Sequence, residues 1–385
     1  MTSATKPEGS AKQFYESLNG LDDVVVAATK VSHVFGEEGR LIYSGYEINQ
    51  LASQATYEEV CHLLWKGHLP NAAELDALNR ALRSQRTLPA AAVAVLRALP
   101  SDTNPMDALR TVASAVGAAE RIAGKPTFEQ AVRLVACFPT IVAGFSRLRQ
   151  GQDLIAPDPE LGHAANYLFM LTGQRPPENH VKSLDTYLVL LADHGMNAST
   201  FTARVIASTE SDLASCIVGA IGALKGPLHG GAPELVSGML KEIGTVDNIK
   251  PWIDNTLNSH GKLMGFGHRI YRTTDPRAEI LRDMAKQAST PEFFALAKGT
   301  EDYAIEELNK RKPERRLYTN VEFYSATVLS SVGLSPDLFP TTFAISRVAG
   351  WSAHVLEQVA NNRLIRPQSK YAGEQGKLFI PINAR

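Results

Sequence analysis

The segment TYEEVCHLLWKGHLP, residues 56–70, predicts a helix with a defined start. Thr56 is a favourable N-cap residue, and Glu59 three positions later completes the pattern of a capping box. Apolar residues such as Val60 and Leu64 follow at the spacing of one helical face. The segment therefore favours an amphipathic helix that packs one side against a protein core.

The same helical periodicity recurs along the chain in segments that are rich in Ala, Val and Leu. They include residues 107–120, 128–151 and 183–209. Pro139 is expected to kink or end one of these helices, and Gly195 interrupts another. Strand-like patterns are almost absent outside residues 36–52, where glycines flank the short run RLIYSGY. We therefore predict an all-α protein with a few short strands near the N-terminus.

The composition is that of a soluble globular protein. The chain has 385 residues, of which 44% are hydrophobic and 21% charged, and its net charge is −1. A charge this small predicts no attraction for nucleic acid or for an anionic membrane. We expect no membrane-spanning run and no signal peptide. The three widely spaced cysteines, Cys61, Cys137 and Cys216, are expected to be reduced core residues, which favours a cytoplasmic location.

Proline and glycine concentrate between residues 226 and 276, which suggests a separate lobe. We predict a small domain at residues 225–319. The large helical domain would then comprise residues 1–224 and 320–385, with residues 1–15 disordered.

Two irregular passages contain most of the potentially reactive side chains. In GPLHGGAPELV, residues 226–236, His229 lies on a turn just before a predicted helix start. Free backbone N–H groups at a helix start suit an anion or a polarised carbonyl, although a single motif of this kind is more often an ordinary loop histidine. In KLMGFGHRIYRTTDPRAEIL, residues 262–281, Gly265 and Gly267 allow close approach of a ligand to the backbone.

The second passage also supplies a set of cationic or switchable groups. They are His268, Arg269, Arg272 and Arg277. Arg277 follows Asp275-Pro276 in the first turn of a predicted helix, where the helix dipole disfavours a positive charge. Bidentate binding of a carboxylate would explain its presence, whereas a solvated basic loop is the simpler alternative for the other arginines.

Other candidates lie outside these passages. His194 follows a very apolar helix, where a histidine commonly interacts with terminal carbonyls. Arg347 lies in an apolar helix and needs either an internal acid or a ligand carboxylate as partner. Arg366 precedes a proline in a predicted loop, where arginines are usually exposed. His194, His229 and His268 lack the short spacing of a zinc site, and GFGHRIYR lacks the third glycine of a dinucleotide fingerprint, so we predict neither there.

RLYTNVEFYSATVLSSVGLSP, residues 316–336, contains one carboxylate, Glu322, in a largely apolar run. Asn320 predicts a helix start there, and an acid in the first turn is favourable in any protein. A catalytic base is the alternative. From the residues alone, the chain is a soluble α-helical enzyme suited to a small polyanionic substrate, and the reaction remains open.

Several of these motifs together resemble the citrate synthase family. The resemblance extends from about Gly20 to the C-terminus, and the motifs occur in the expected order. They are GEEGRLIYSGYEINQLA, ADHGMNASTFTARV, PLHGGAPELV, MGFGHRIYRTTDPRAEIL, NVEFYS, SRVAGW and RPQS. The chain is most similar to the shorter bacterial and archaeal branch, which includes 2-methylcitrate synthases.

The resemblance implies an all-α homodimer whose small domain closes over the substrates. It implies condensation of acetyl-CoA with oxaloacetate and thioester hydrolysis, as in the tricarboxylic acid cycle, with no metal or other cofactor. The implied catalytic residues are His229 at the thioester carbonyl, His268 at the ketone of oxaloacetate, and the acid at Glu322 as base. The implied oxaloacetate ligands are His194, Arg277, Arg347 and, from the other subunit, Arg366. The implied CoA-binding residues are Gly265, Phe266, Gly267 and Arg272.

The family usually has aspartate where this chain has Glu322. The extra methylene moves the carboxylate by about 1–1.5 Å, and a misplacement on the order of 1 Å can cost about 100-fold in rate. Three interpretations therefore remain: a citrate synthase, a 2-methylcitrate synthase that uses propionyl-CoA, or a catalytically weak protein that binds oxaloacetate or CoA.

Overall fold

The computed structural model describes residues 20–21, 24–230, 232–267, 271, 273–311 and 317–385. The segment predicted to be disordered, residues 1–15, lies outside the described residues. Helix accounts for 62% of the structure and strand for 3%, which confirms the all-α prediction.

Sixteen α-helices occur in the described part of the chain. They are α1 (Ile48–Gln54), α2 (Tyr57–Lys66), α3 (Ala72–Ser84), α4 (Ala90–Ala98), α5 (Pro105–Ala119), α6 (Phe128–Leu148), α7 (His163–Thr172), α8 (Glu178–Leu191), α9 (Ala198–Ser208), α10 (Leu213–Leu224), α11 (Ala232–Ile243), α12 (Ile249–Asn258), α13 (Pro276–Ala288), α14 (Pro291–Arg311), α15 (Val321–Ser331) and α16 (Phe339–Ala360).

The predicted short strands form one small antiparallel sheet near the N-terminus. The strands are β1 (Ser32–Phe35), β2 (Arg40–Tyr43) and β3 (Tyr46–Glu47), in the order β1-β2-β3. Ser32 pairs with Tyr43, and Tyr43 pairs with Tyr46. The sheet leads directly into α1.

Side-chain caps fix the predicted helix starts. Thr56 and Glu59 form the complete capping box at the start of α2. The side chain of Asn320 accepts a hydrogen bond from the backbone N–H of Glu322 at the start of α15 (3.0 Å). These bonds satisfy N–H groups that have no partner within the helix. Residues 183–209, by contrast, form two helices, because the chain leaves the helical path between Leu191 and Ala198.

Helix α6 runs unbroken through Pro139, so the prediction that this proline could end the helix is wrong. By length and composition α6 could cross a membrane, which the sequence analysis had overlooked, but 83% of its apolar window is buried inside the protein. It is a core helix. α16 is the other long core helix and packs against α2, α6, α8, α9 and α10. The three cysteines are buried and free, as predicted.

Residues 29–364 form one compact unit, and residues 365–385 belong to a second unit with the N-terminal residues. Helices α11 to α14 lie within the segment predicted to be the small domain, and α11 and α13 pack against α15. The boundary at residues 225–319 stays a prediction.

Candidate active site

Arg347 is buried in α16 and points its guanidinium at the end of α8. Its Nε donates a hydrogen bond to the carbonyl oxygen of Leu191 (2.7 Å), and its Cζ lies 4.6 Å from the centre of the Phe343 ring. Burial lowers the pKa of Arg347 to about 10, although the nearby Asp193 opposes this shift. None of the described residues forms an ion pair with Arg347, so part of its guanidinium is available for an anionic ligand.

Asp193 anchors the loop between α8 and α9 through hydrogen bonds to three other residues. It is fully buried and accepts hydrogen bonds from Ser32 Oγ, from the backbone N–H of Gly195 (3.0 Å) and from His354 Nε2 (3.3 Å). Burial alone would raise the pKa of Asp193, but His354, Arg347 and Ser32 together outweigh burial, and the pKa lies below the ordinary value. A Cβ atom on Gly350 of α16 would lie 2.3 Å from Asp193 Oδ1, so only glycine permits this close approach.

His194 lies in the same loop, and Arg277 faces this region from α13. His194 Nε2 lies 3.3 Å from the hydroxyl of Tyr271. Arg277 forms a bidentate ion pair with Asp275, with Nε–Oδ1 and Nη2–Oδ2 distances of 3.0 and 2.8 Å. Burial works against the charge of Arg277, but Asp275 together with Tyr271 and Tyr43 outweighs burial and keeps the pKa above its ordinary value. The carboxylate that binds Arg277 in bidentate fashion is therefore that of Asp275, and no hydrogen bond from Nη1 of Arg277 reaches an acceptor in the described part of the chain.

His229 is held by the first turn of α9. Its Nε2 lies 2.8 Å from Ser199 Oγ and 3.4 Å from the backbone nitrogen of Ser199, and Trp351 Nε1 donates to the same hydroxyl (3.0 Å). A backbone N–H can only donate, so Nε2 is the accepting nitrogen and the hydrogen of the neutral ring lies on Nδ1. Burial, assisted by Arg347, lowers the pKa of His229 to about 4. At neutral pH this histidine is an uncharged hydrogen-bond donor.

The loop of residues 265–267 is fastened to the start of α15. Asn320 donates from its backbone N–H to Gly265 and from Nδ2 to Gly267, both at 3.0 Å. The Phe266 and Phe323 rings are 5.2 Å apart. Gly265 has a φ of +85°, and a Cβ there would lie 2.8 Å from Phe323 Cβ. This loop, predicted to bind CoA, thus borders the first turn of α15.

Glu322 occupies that first turn and is half-buried. Burial raises the pKa of Glu322 to about 7, while Arg277 lowers it and Asp275 raises it. No hydrogen bond to its carboxylate comes from the described part of the chain. A carboxylate that titrates near neutral pH is matched to general base catalysis.

The electrostatic effects show which predicted residues lie near one another. Arg347 lowers the pKa of His229, and Arg277 lowers the pKa of Arg347, of Glu322 and of Tyr271, the partner of His194. The structure therefore brings together His194, His229, Arg277, Arg347 and Glu322. His268 and Arg272 lie outside the described residues. Arg366 is exposed in the separate C-terminal unit, so its role stays a prediction.

The sequence analysis missed the residues that position these groups. Ser199 carried a usable signal, because Asn197 is a strong N-cap candidate and places Ser199 in the first turn of a helix beside the histidine loops. Asp275 was noted only as part of a helix entry, although its side chain also binds Arg277. Asp193 and His354 carried no sequence signal that distinguishes them from ordinary core or surface residues.

Comparisons with known proteins agree with this geometry. The family model described as citrate synthase, C-terminal domain, matches residues 20–368. A citrate synthase from Haloferax volcanii is 42% identical over 96% of this chain and 99% of its own length. A 2-methylcitrate synthase from Corynebacterium glutamicum is 38% identical over 95% of this chain and 97% of its own.

Solved structures give the same result. The ternary complex of citrate synthase from Thermoplasma acidophilum with carboxymethyl coenzyme A and oxaloacetate is 31% identical, with a TM-score of 0.88. The match covers 95% of this chain and 98% of the Thermoplasma acidophilum chain. The chain therefore belongs to the citrate synthase family, a family of acyltransferases.

Proposed function

We propose that this enzyme condenses acetyl-CoA with oxaloacetate and hydrolyses the resulting thioester to citrate and free CoA. The observation that carries the proposal is that His229 and Glu322 have the protonation states that enolate formation requires. His229 is a neutral donor with its hydrogen on Nδ1, and Glu322 is a half-buried carboxylate with a pKa of about 7. Removal of a weakly acidic thioester methyl proton requires a base and a donor to the forming enolate oxygen.

In the proposed reaction the Glu322 carboxylate takes a methyl proton of acetyl-CoA. The His229 Nδ1–H group donates a hydrogen bond to the thioester oxygen while the enolate forms. The methyl carbon then bonds to the ketone carbon of oxaloacetate, whose oxygen is protonated with the help of His268. Water finally attacks the thioester carbonyl, and the C–S bond breaks to release CoA.

The arginines fit the two carboxylates of oxaloacetate. Arg347 has no acidic partner among the described residues, and Nη1 of Arg277 is available beside Glu322. We propose that His194, Arg277 and Arg347 bind oxaloacetate in one subunit of a homodimer and that Arg366 reaches the site of the other subunit. We further propose that residues 225–319 close over the substrates and exclude water from the enolate. Gly265, Phe266, Gly267 and Arg272 would bind CoA.

We further propose that the enzyme needs no metal or other cofactor and that it acts in the cytoplasm, in the tricarboxylic acid cycle. The test is release of free CoA, followed with a thiol reagent, from acetyl-CoA plus oxaloacetate. Dialysis against a chelator should leave the rate unchanged. If no CoA is released while oxaloacetate still binds, the chain is a ligand-binding protein and the proposal is wrong.

A second candidate is 2-methylcitrate synthase, because the similar protein from Corynebacterium glutamicum has that name. Propionyl-CoA differs from acetyl-CoA by one methylene, which is worth only about 1–3 kcal/mol in a binding pocket. Parallel measurement of kcat/KM with the two thioesters decides between the candidates. We expect a higher value with acetyl-CoA, and a reversed ratio would assign the second function.

A further inference from the structure

A second cluster of chemically reactive side chains lies at the turn between α2 and α3 and shares no residue with the candidate active site. It consists of His62, His68 and Glu74. One potential ligand atom from each lies within 4.8 Å of the other two. Within the described ranges, no other group of three His, Cys, Asp or Glu residues meets this condition.

The local fold explains why these residues converge. α2 ends in Gly67, which has a φ of +80° and reverses the chain. Asn71 then begins α3 with a capping box in which Glu74 Oε2 accepts a hydrogen bond from the Asn71 backbone N–H (2.8 Å). His62 thus lies just before the last turn of one helix and Glu74 in the first turn of the next, with His68 between them.

Each of the two histidines has a backbone carbonyl oxygen beside its Nδ1 atom. His62 Nδ1 lies 3.0 Å from the backbone oxygen of His68, and His68 Nδ1 lies 3.3 Å from the backbone oxygen of Lys66. A carbonyl oxygen only accepts, so the hydrogen of neutral His62 lies on Nδ1, and the same tautomer of His68 satisfies the carbonyl oxygen of Lys66. In these tautomers each ring presents an Nε2 lone pair. Such a bond from the second ring nitrogen to a backbone carbonyl is the usual arrangement of histidines that bind metals.

His68 Nε2 lies 3.3 Å from Glu74 Oε1. When the hydrogen of His68 is on Nδ1, both of these atoms offer lone pairs, and a metal ion between them would accept one from each. Two ligands about 2.0–2.1 Å from a tetrahedral zinc ion are themselves about 3.3 Å apart, which matches the observed separation.

We propose that His62, His68 and Glu74 form a surface site for Zn²⁺ or a cation of similar ligand preference. Two imidazoles and one carboxylate are a common three-ligand set for zinc and leave the fourth position to water. The side chains of His68 and Glu74 are 55% and 38% exposed, so an ion can reach them from solvent. Binding would link the end of α2 to the start of α3.

The test uses the full-length protein without a histidine tag, dialysed against a chelator and titrated with Zn²⁺ in calorimetry. One equivalent per chain is expected. Co²⁺ as a spectroscopic probe should give the visible absorption of a tetrahedral site. Excess Mg²⁺ or Ca²⁺ should not compete, since these ions require more oxygen ligands than the cluster offers.

Two variants change exposed ligands and spare the buried His62. His68→Asn and Glu74→Gln should each weaken Zn²⁺ binding by on the order of 100-fold, given that even outer-shell changes cost 10–100-fold. Glutamine can still accept the capping bond, so α3 should persist. His260→Asn is the matched control, because this exposed histidine has a φ of +60° that asparagine tolerates.

Zinc should also raise the thermal midpoint of the wild-type protein but not of the two ligand variants. Absence of stoichiometric binding to wild type would overturn the proposal. Equal binding by wild type and both ligand variants would also overturn it, because the ion would then lie elsewhere.

Discussion

Shortening the proposed base by one methylene, Glu322→Asp, should lower kcat by about 100-fold. The variant keeps the charge beside Arg277 but withdraws the carboxylate by about 1–1.5 Å. The start of α15 cannot easily follow, because Asn320 bonds to Gly265 and Gly267 and a close contact joins Gly265 to Phe323. A 100-fold loss corresponds to about 2.7 kcal/mol of transition-state stabilisation.

Steady-state kinetics of CoA release provide the assay. KM for oxaloacetate should change little, because the charge near the arginines is preserved. Glu279→Asp is the control, since Glu279 is an exposed acid in the first turn of α13 and the same methylene is removed. Equal or faster turnover of Glu322→Asp would refute the reasoning and show that the site still prefers the shorter acid of its family.

The pH dependence tests the same residue in the wild-type enzyme. Burial raises the pKa of Glu322 to about 7, and the base must be ionised to take a proton. The value of kcat/KM for acetyl-CoA should therefore fall below pH 7, by about tenfold for each further pH unit. A rate that stays constant down to pH 5 would show that the protonation of Glu322 does not limit proton transfer.

Three further substitutions give distinct outcomes. Ser199→Ala removes a hydrogen bond to His229 and should lower kcat about tenfold, the effect of roughly 1.4 kcal/mol. The buried Trp351 indole N–H also loses its acceptor, so the thermal midpoint should fall as well. Gly350→Ala forces a methyl group against Asp193 and should reduce both the thermal midpoint and activity, whereas a wild-type midpoint would contradict the contact. Glu322→Gln should abolish condensation but stabilise the fold above pH 7. The folded-state pKa of Glu322 exceeds the unfolded value, so ionisation costs on the order of 2–3 kcal/mol at pH 8 and less at pH 5.5, and denaturant unfolding at both pH values measures the difference.

Local sequence patterns predicted the features that depend on neighbouring residues only, such as helix starts. The capping residues Thr56 and Asn320 placed helix starts correctly because a cap bonds only to its own first turn. The predicted helix end at Pro139 was wrong. A proline costs a helix one hydrogen bond and some steric strain, and burial of a long apolar helix can offset this cost. Arg277 was recognised as needing a carboxylate, but the pattern could not distinguish a ligand from Asp275, two residues earlier.

The residues that orient the α8–α9 loop could not be predicted, because their interactions join distant parts of the chain. Ser32 of β1 and His354 of α16 both donate to Asp193, and Arg204 of α9 donates to His354 Nδ1 (3.1 Å) while it pairs with Glu357 (2.6 Å). Because Arg204 can only donate, His354 must accept at Nδ1 and donate from Nε2 to Asp193. Each group in this buried series of hydrogen bonds has a fixed role as donor or acceptor. The series therefore restrains the position of the α8–α9 loop. A motif can identify the reactive histidine of such a loop, but the series that positions it exists only after three elements have packed together.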